Sequence, residues 1–430
     1  MSSLLVLAEF VQSSALNELP EERRDRVRSH LIDTLGAMKA GLRLKEGISA
    51  GKFAAHDGSR HAAIAAACAA ARCTEVDDIH LSSCTTPGSV VIPVALALAA
   101  SRDLRTWKEF LAAVTAGYEV MIRIGYAING PAILGKKVWP TFFAASLGAA
   151  AVASRVFQLD IRQTASALAT ALTFSAGTAA PARSEESSRW LSLGVAAANG
   201  VMAASAARSG IAGPEDLLER YAARIAGVSI SRKRLLQNLG DTFLFDEIGM
   251  KPYPIARQAL AAVEGVREMM THERIKAPDL EKIVIGVPDA QRWVIDHPEL
   301  PSTRMESIVS VQYQIALQIV APEGRLAISG GRPFLNDAMR TVMAKILVKH
   351  APDLEKYYPA AWPAKVEIRA KGRRFRGEVL HPHGDAKDPL DWSECSVKFI
   401  ALGGPAAVIE QVRDLKPKGV MPRLWEALHS

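Results

Sequence analysis

Three carboxylates and an imidazole fall together in Glu75-Val76-Asp77-Asp78-Ile79-His80, and Thr86-Pro87-Gly88-Ser89 follows just before a long apolar run. Such a set can move a proton at carbon, because imidazole titrates near neutrality and a carboxylate can act as a base or orient the group that does. The plainer alternative has Asp77 and Asp78 capping the next element and His80 packed structurally. Two distant segments bear on the choice. Lys251-Pro252-Tyr253-Pro254, with Arg257, stands where the composition of the chain changes. A lysine there can bind a carboxylate or, when desolvated, titrate, and the competing reading is a rigid double-proline hinge. Arg183, Ser184, Ser188 and Arg189 form a polar island between apolar segments. Guanidinium groups suit a bidentate carboxylate clamp, and the competing reading is a solvated loop.

Other chemistries lack their motifs. The chain has no phosphate-binding glycine loop, no GxSxG nucleophile turn and no histidine pair at helical metal-ligand spacing. His381 and His383 flank Pro382 and read as solvent-facing turn residues. No metal is therefore expected. The four cysteines, Cys68, Cys73, Cys84 and Cys395, show no CxxC spacing, which reads as free thiols in a cytoplasmic protein. A net charge of +7 spread over 430 residues argues against nucleic acid as a partner and fits a small anionic substrate. The apolar runs near 90–100 and 141–154 are too short for a bilayer crossing, so no membrane partner is expected.

The elements that must position these groups follow from periodicity. Up to about residue 245 apolar positions recur at three and four residues, with alanine-rich helices expected over 61–73, 88–101, 142–157, 162–178 and 190–208. Small side chains allow close helix packing. Pro20-Glu21-Glu22 opens a helix ending near Gly41, Pro214-Glu215-Asp216 opens another, and Gly125, Gly130 and Gly135 read as punctuation of a loop. After residue 247 the pattern turns β-rich at 282–287 and in a hairpin over 364–380, with helices expected at 254–271, 306–321 and 335–350. The fold expected is mainly α: a large all-helical bundle domain (1–246 and 389–430) and a smaller α+β lid domain (247–388).

In order along the chain, the Leu31-Ile32-Asp33-Thr34-Leu35-Gly36 helix, the Asp77-to-Leu81 loop with its Pro87-to-Pro93 helix start, Trp139-Pro140-Thr141, Gly148-Ala149-Ala150-Ala151, Gly213-Pro214 and Lys251-Pro252-Tyr253-Pro254 carry a resemblance. Together they resemble the MmgE/PrpD family, which includes methylcitrate dehydratase, cis-aconitate decarboxylase and iminodisuccinate epimerase. The resemblance covers essentially the whole chain. It implies a helical domain built from both chain ends, an α+β lid, a cofactor-free site between them and a homodimer.

Matched residue by residue, the resemblance keeps the acid at Glu75, the pair Asp77 and Asp78, His80, the lysine at Lys251 and the lid-helix tyrosine at Tyr313. It also shows departures. Ile79 stands for a threonine, Thr86 and Trp139 each stand for a histidine, and Arg189 stands for a lysine. Fixed positive charge is thus retained better than titratable groups. Taken with the residue reading above, which supplies Arg183 and Arg257, the resemblance gives Glu75, Asp78, His80, Lys251 and Tyr313 as candidate catalytic groups and Thr86, Trp139, Arg183, Arg189 and Arg257 as candidate substrate-binding groups. Three readings remain: a lyase acting on a small organic acid, an isomerase or epimerase that removes and returns a proton, and a non-catalytic ligand-binding protein.

Overall fold

A computed structural model of the chain describes residues 1–100, 106–175, 186–221, 228–328, 331, 333–414 and 424–425. Arg183 lies outside them. The fold is mainly α, with two compact units. The larger comprises Met1–Ala180, Ser187–Ile248 and Asp391–Ser430, and the smaller contains Gly249–Leu390.

The larger unit is almost wholly helical. Its elements are α1 (Ser3–Gln12), α2 (Glu21–Gly41), α3 (Lys45–Asp57), α4 (Arg60–Cys73), the short strand β1 (Asp78–His80), α5 (Gly88–Ala100), α6 (Trp107–Ala127), α7 (Gly130–Gly135), α8 (Pro140–Val156), α9 (Ile161–Thr173), α10 (Ser188–Arg208), α11 (Leu217–Tyr221) and α12 (Arg232–Leu236). Helix starts follow local chemistry. Thr106 and Glu109 form a capping box on α6, Asp160 and Gln163 do so on α9, and Glu21 and Glu22 complement the amide dipoles at the start of α2. Helix α10 is long and apolar enough to cross a membrane, but here it packs against α4, α8 and α9. A Cβ at Gly194 would lie 2.0 Å from the Ala65 carbonyl oxygen and one at Gly200 would lie 2.1 Å from that of Ser146. Glycine is thus what lets α10 approach both neighbours.

The C-terminal helices α18 (Trp392–Ala401) and α19 (Ala406–Asp414) belong to the same unit and pack on α2. The Lys398 ammonium is buried, pairs with the buried Asp33 carboxylate of α2 and donates to the Val76 carbonyl at 2.9 Å. Burial pushes the Asp33 carboxyl up, Lys398 opposes this and the neighbouring Asp78 adds to it.

The smaller unit begins at the end of β2 (Ile248–Met250) and contains α13 (Arg257–His272), β3 (Leu280–Val287), α14 (Asp289–Ile295), α15 (Arg304–Val309), α16 (Val311–Val320), α17 (Asp337–Met343), β4 (Ile346–His350), β5 (Ala364–Ala370) and β6 (Arg373–Val379). Its four-stranded sheet runs β4-β3-β5-β6, with β3 parallel to β4 and the other pairs antiparallel. Lys371 and Gly372, at φ 52° and 68°, make the tight turn between β5 and β6. Helices α13, α16 and α17 form the core of this unit with residues such as Ile283, Ile285, Val366 and Ile368.

Three sequence expectations need correction. The helix expected over 335–350 is a short helix, α17, followed by strand β4. Ile346 and Val348 are buried at a spacing of two and continue the parallel ladder from Ile283 to Val287, so cross-strand pairing overrides the helical spacing of the preceding turns. The segment 306–321 is two helices, because the Ser310 hydroxyl accepts from the Tyr313 N–H and starts α16 afresh. Gly125 lies inside α6 and Gly130 opens α7, rather than punctuating a loop. A Cβ on Gly125 would lie 2.5 Å from the Thr85 methyl carbon, and one on Gly130 would lie 1.9 Å from the Ser83 carbonyl oxygen. These two glycines make room for the loop that follows β1.

Replacing Lys398 by methionine should destabilise the protein by about 3–5 kcal/mol near neutral pH, because the buried Asp33 loses its cation. Folded Asp33 must then hold a proton that the unfolded chain releases above about pH 4, so the loss should be small in acid and grow as pH rises. Denaturant unfolding at both pH values checks this, with the Asp33→Asn/Lys398→Met pair recovering part of the loss. A pH-independent loss would contradict it.

Candidate active site

The acidic loop leaves α4 through Thr74, and Glu75 follows at φ 59°. That left-handed conformation is uncommon for a residue with a Cβ and signals local strain. It is held by charge. Glu75 lies 2.7 Å from an Arg72 guanidinium nitrogen and 3.7 Å from one of Arg189, and Arg72 also reaches Asp77 at 3.3 Å. All four side chains are buried. The Arg189 guanidinium lies 4.2 Å from the Trp190 ring centre and 4.6 Å from that of Trp139. Trp139 thus gives Arg189 a π-face.

Asp78 is wholly buried and faces donors on every side. Its Oδ2 accepts from His30 Nδ1 at 3.0 Å and from the Tyr118 hydroxyl at 2.8 Å, while Oδ1 accepts from the Gly88 N–H at 2.9 Å. Burial raises the Tyr118 phenol well above its ordinary value and the Asp78 charge adds to that, so Tyr118 stays a donor. The bond to Gly88 places the carboxylate at the start of α5, where the helix dipole favours it. Both Asp78 oxygens are therefore engaged by hydrogen bonds.

His80 is set by the turn after β1. Its backbone N–H donates to Thr85 O at 2.9 Å, and the Ser83 N–H donates to its Nδ1 at 3.2 Å. With Nδ1 accepting, the ring proton of the neutral imidazole belongs on Nε2, which lies 3.5 Å from Glu247 Oε2. Thr86 donates its N–H to Thr141 Oγ1 at 3.1 Å, in the first turn of α8, whose N-cap is Trp139. Glu75, Arg189, Trp139, Thr141, Thr86 and the His80 turn thus form one connected set in the larger unit. Arg72, His30 and Tyr118 were not expected from the sequence. A lone arginine closing the alanine run of α4 was a readable signal for the first, whereas His30 and Tyr118 carry no local one.

The remaining expected residues lie in the smaller unit. Lys251 is buried. Arg257 is committed to a buried ion pair with Asp385 at 2.6 Å. The Tyr253 hydroxyl donates to Glu264 at 2.7 Å. Tyr313 lines a cavity of about 480 Å³ together with Arg304, Arg325, Ile308, Leu317 and Phe334. Its hydroxyl donates to Phe334 O at 3.0 Å, and burial pushes the phenol up to about 12.

The arrangement of His80 can be tested directly. Long-range nitrogen–proton NMR should show the ring proton of the neutral His80 imidazole on Nε2. An Nδ1–H pattern would contradict the hydrogen-bond assignment.

Comparison with known proteins places this geometry in context. The chain is similar to cis-aconitate decarboxylase of Mus musculus, at 25% identity over 369 residues covering 79% of this chain and 73% of that protein. It is also similar to cis-aconitate decarboxylase of Homo sapiens, at 26% identity over 331 residues covering 74% and 67%. Residues 6–234 match the MmgE/PrpD N-terminal domain and residues 253–416 match the MmgE/PrpD C-terminal domain. With both domain models matched in order across most of its length, the chain belongs to the MmgE/PrpD family.

Proposed function

We propose that this protein is a cofactor-independent lyase that removes water or carbon dioxide from a small organic acid or its derivative. The observation that carries this reading is the buried Arg72–Glu75–Arg189 group, stacked on Trp139 and Trp190 and joined through Thr141 and Thr86 to the His80 turn. Fixed guanidinium charge suits a substrate carboxylate and the negative charge that develops when a proton leaves the neighbouring carbon. Glu75 and His80 are the groups proposed to handle that proton, with Glu247 beside the imidazole and Asp78 holding the loop. Lys251 and Tyr313 are proposed as further acid–base groups. The two similar proteins named cis-aconitate decarboxylase support the same substrate class.

A second reading, isomerase or epimerase, is favoured by Thr86 and Trp139, neither of which titrates near neutral pH. Removing and returning one proton needs fewer acids than expelling a leaving group.

NMR of the protein with aconitate-type and citrate-type acids in deuterated water separates these readings. Loss of water or carbon dioxide is the expected result, and the His80→Gln variant should be slower by about 100-fold or more. Solvent deuterium at carbon without net product would select the isomerase. No turnover together with a ligand-induced rise in Tm would leave binding alone. In the same assay, unchanged turnover of Lys251→Ala would remove Lys251 from the mechanism.

A further inference from the structure

The cavity around Tyr313 has a polarity that the acidic loop does not share. Of its described lining residues, Arg304 and Arg325 are cationic and Glu323 is the single carboxylate, exposed at the rim. Arg325 stacks on Tyr253, with the guanidinium carbon 4.9 Å from the ring centre, and one of its nitrogens lies 3.9 Å from Glu264 Oε1. Glu264 already accepts from the Tyr253 hydroxyl at 2.7 Å and from Arg267 at 2.6 Å. Arg325 is therefore oriented by a carboxylate that it shares with a nearer guanidinium, and its charge is only partly offset there. The rest of the wall is mostly apolar, with Ile308, Leu317, Ile328 and Phe334 among its residues. The volume, about 480 Å³, falls within the usual range for small-molecule sites.

We propose that this cavity binds an organic acid with an apolar body, its carboxylate on Arg304 and Arg325 and its chain against Ile308, Leu317 and Phe334. Tyr313 belongs to the same wall, and its phenol donates to the Phe334 carbonyl. The inference rests on the reading that the protein acts on organic acids. It goes beyond that reading by giving the smaller unit a carboxylate site of its own, with an apolar wall.

Calorimetric binding of straight-chain monocarboxylates from about four to ten carbons tests this on the full-length protein. Affinity should rise by about fourfold for each added methylene until the cavity is full. The matching primary amides should bind at least about tenfold more weakly, as should each acid to Arg304→Gln or Arg325→Gln. The amide series needs no variant, so it decides the point even if an arginine variant misfolds. Affinity that does not change with chain length, or amides that bind as well as acids, would overturn the proposal. Turnover of citrate-type acids without binding of the longer acids would overturn this inference and leave the lyase reading standing. Binding of the longer acids without turnover of any acid would do the reverse.

Discussion

The larger unit is organised around two buried carboxylates, Asp33 and Asp78, near enough that the Asp78 charge adds to the burial that pushes the Asp33 carboxyl up. A buried charge is costly unless it is paired and hydrogen-bonded, so the surroundings of these two groups are tightly specified. Lys398 answers Asp33, while His30, Tyr118 and the first amide of α5 answer Asp78. Lys398 also holds the Val76 carbonyl, between Glu75 and Asp77. One ammonium therefore ties the C-terminal helix, the second helix and the acidic loop together. The loop that carries Glu75 and His80 is fixed by these buried groups.

In the sequence Glu75 and Asp78 stood as orienting or basic carboxylates. In the structure Glu75 and Asp77 both pair with Arg72, and Asp78 accepts from His30, Tyr118 and Gly88. Trp139 and Arg189 carry a different balance from the histidine and lysine that the family resemblance leads one to expect. The indole gives Arg189 a stacking face, and Arg189 keeps its charge at any ordinary pH. The result is a buried cluster in which the Arg72 and Arg189 guanidiniums face the Glu75 and Asp77 carboxylates, with two indoles stacked on Arg189.

Much of this was readable locally. Helix α2 starts after Pro20 and ends near Gly41, the Lys371-Gly372 turn joins β5 to β6, and the alanine-rich segments form the closely packed helices α4, α8 and α10. Each of those depends on residues a few positions apart. What escaped depends on distance along the chain. Asp33 and Lys398 are 365 residues apart, and Asp78 lies 48 residues from His30 and 40 from Tyr118. Strand β4 escaped because its five residues follow a short helix without a break and acquire their spacing only by pairing with β3. Gly125 and Gly130 read as loop punctuation because their reason for being glycine, the backbone at Ser83 to Thr85, lies in another segment.

The central claim is that the loop bearing Glu75 and His80 is rigid because buried polar groups hold it. Native-state hydrogen exchange of the His80, Thr86 and Gly88 amides tests this most directly, since these donate to Thr85 O, Thr141 Oγ1 and Asp78 Oδ1. The account predicts protection comparable with that of the buried amides of α5. Exchange at the rate of an exposed loop would contradict it.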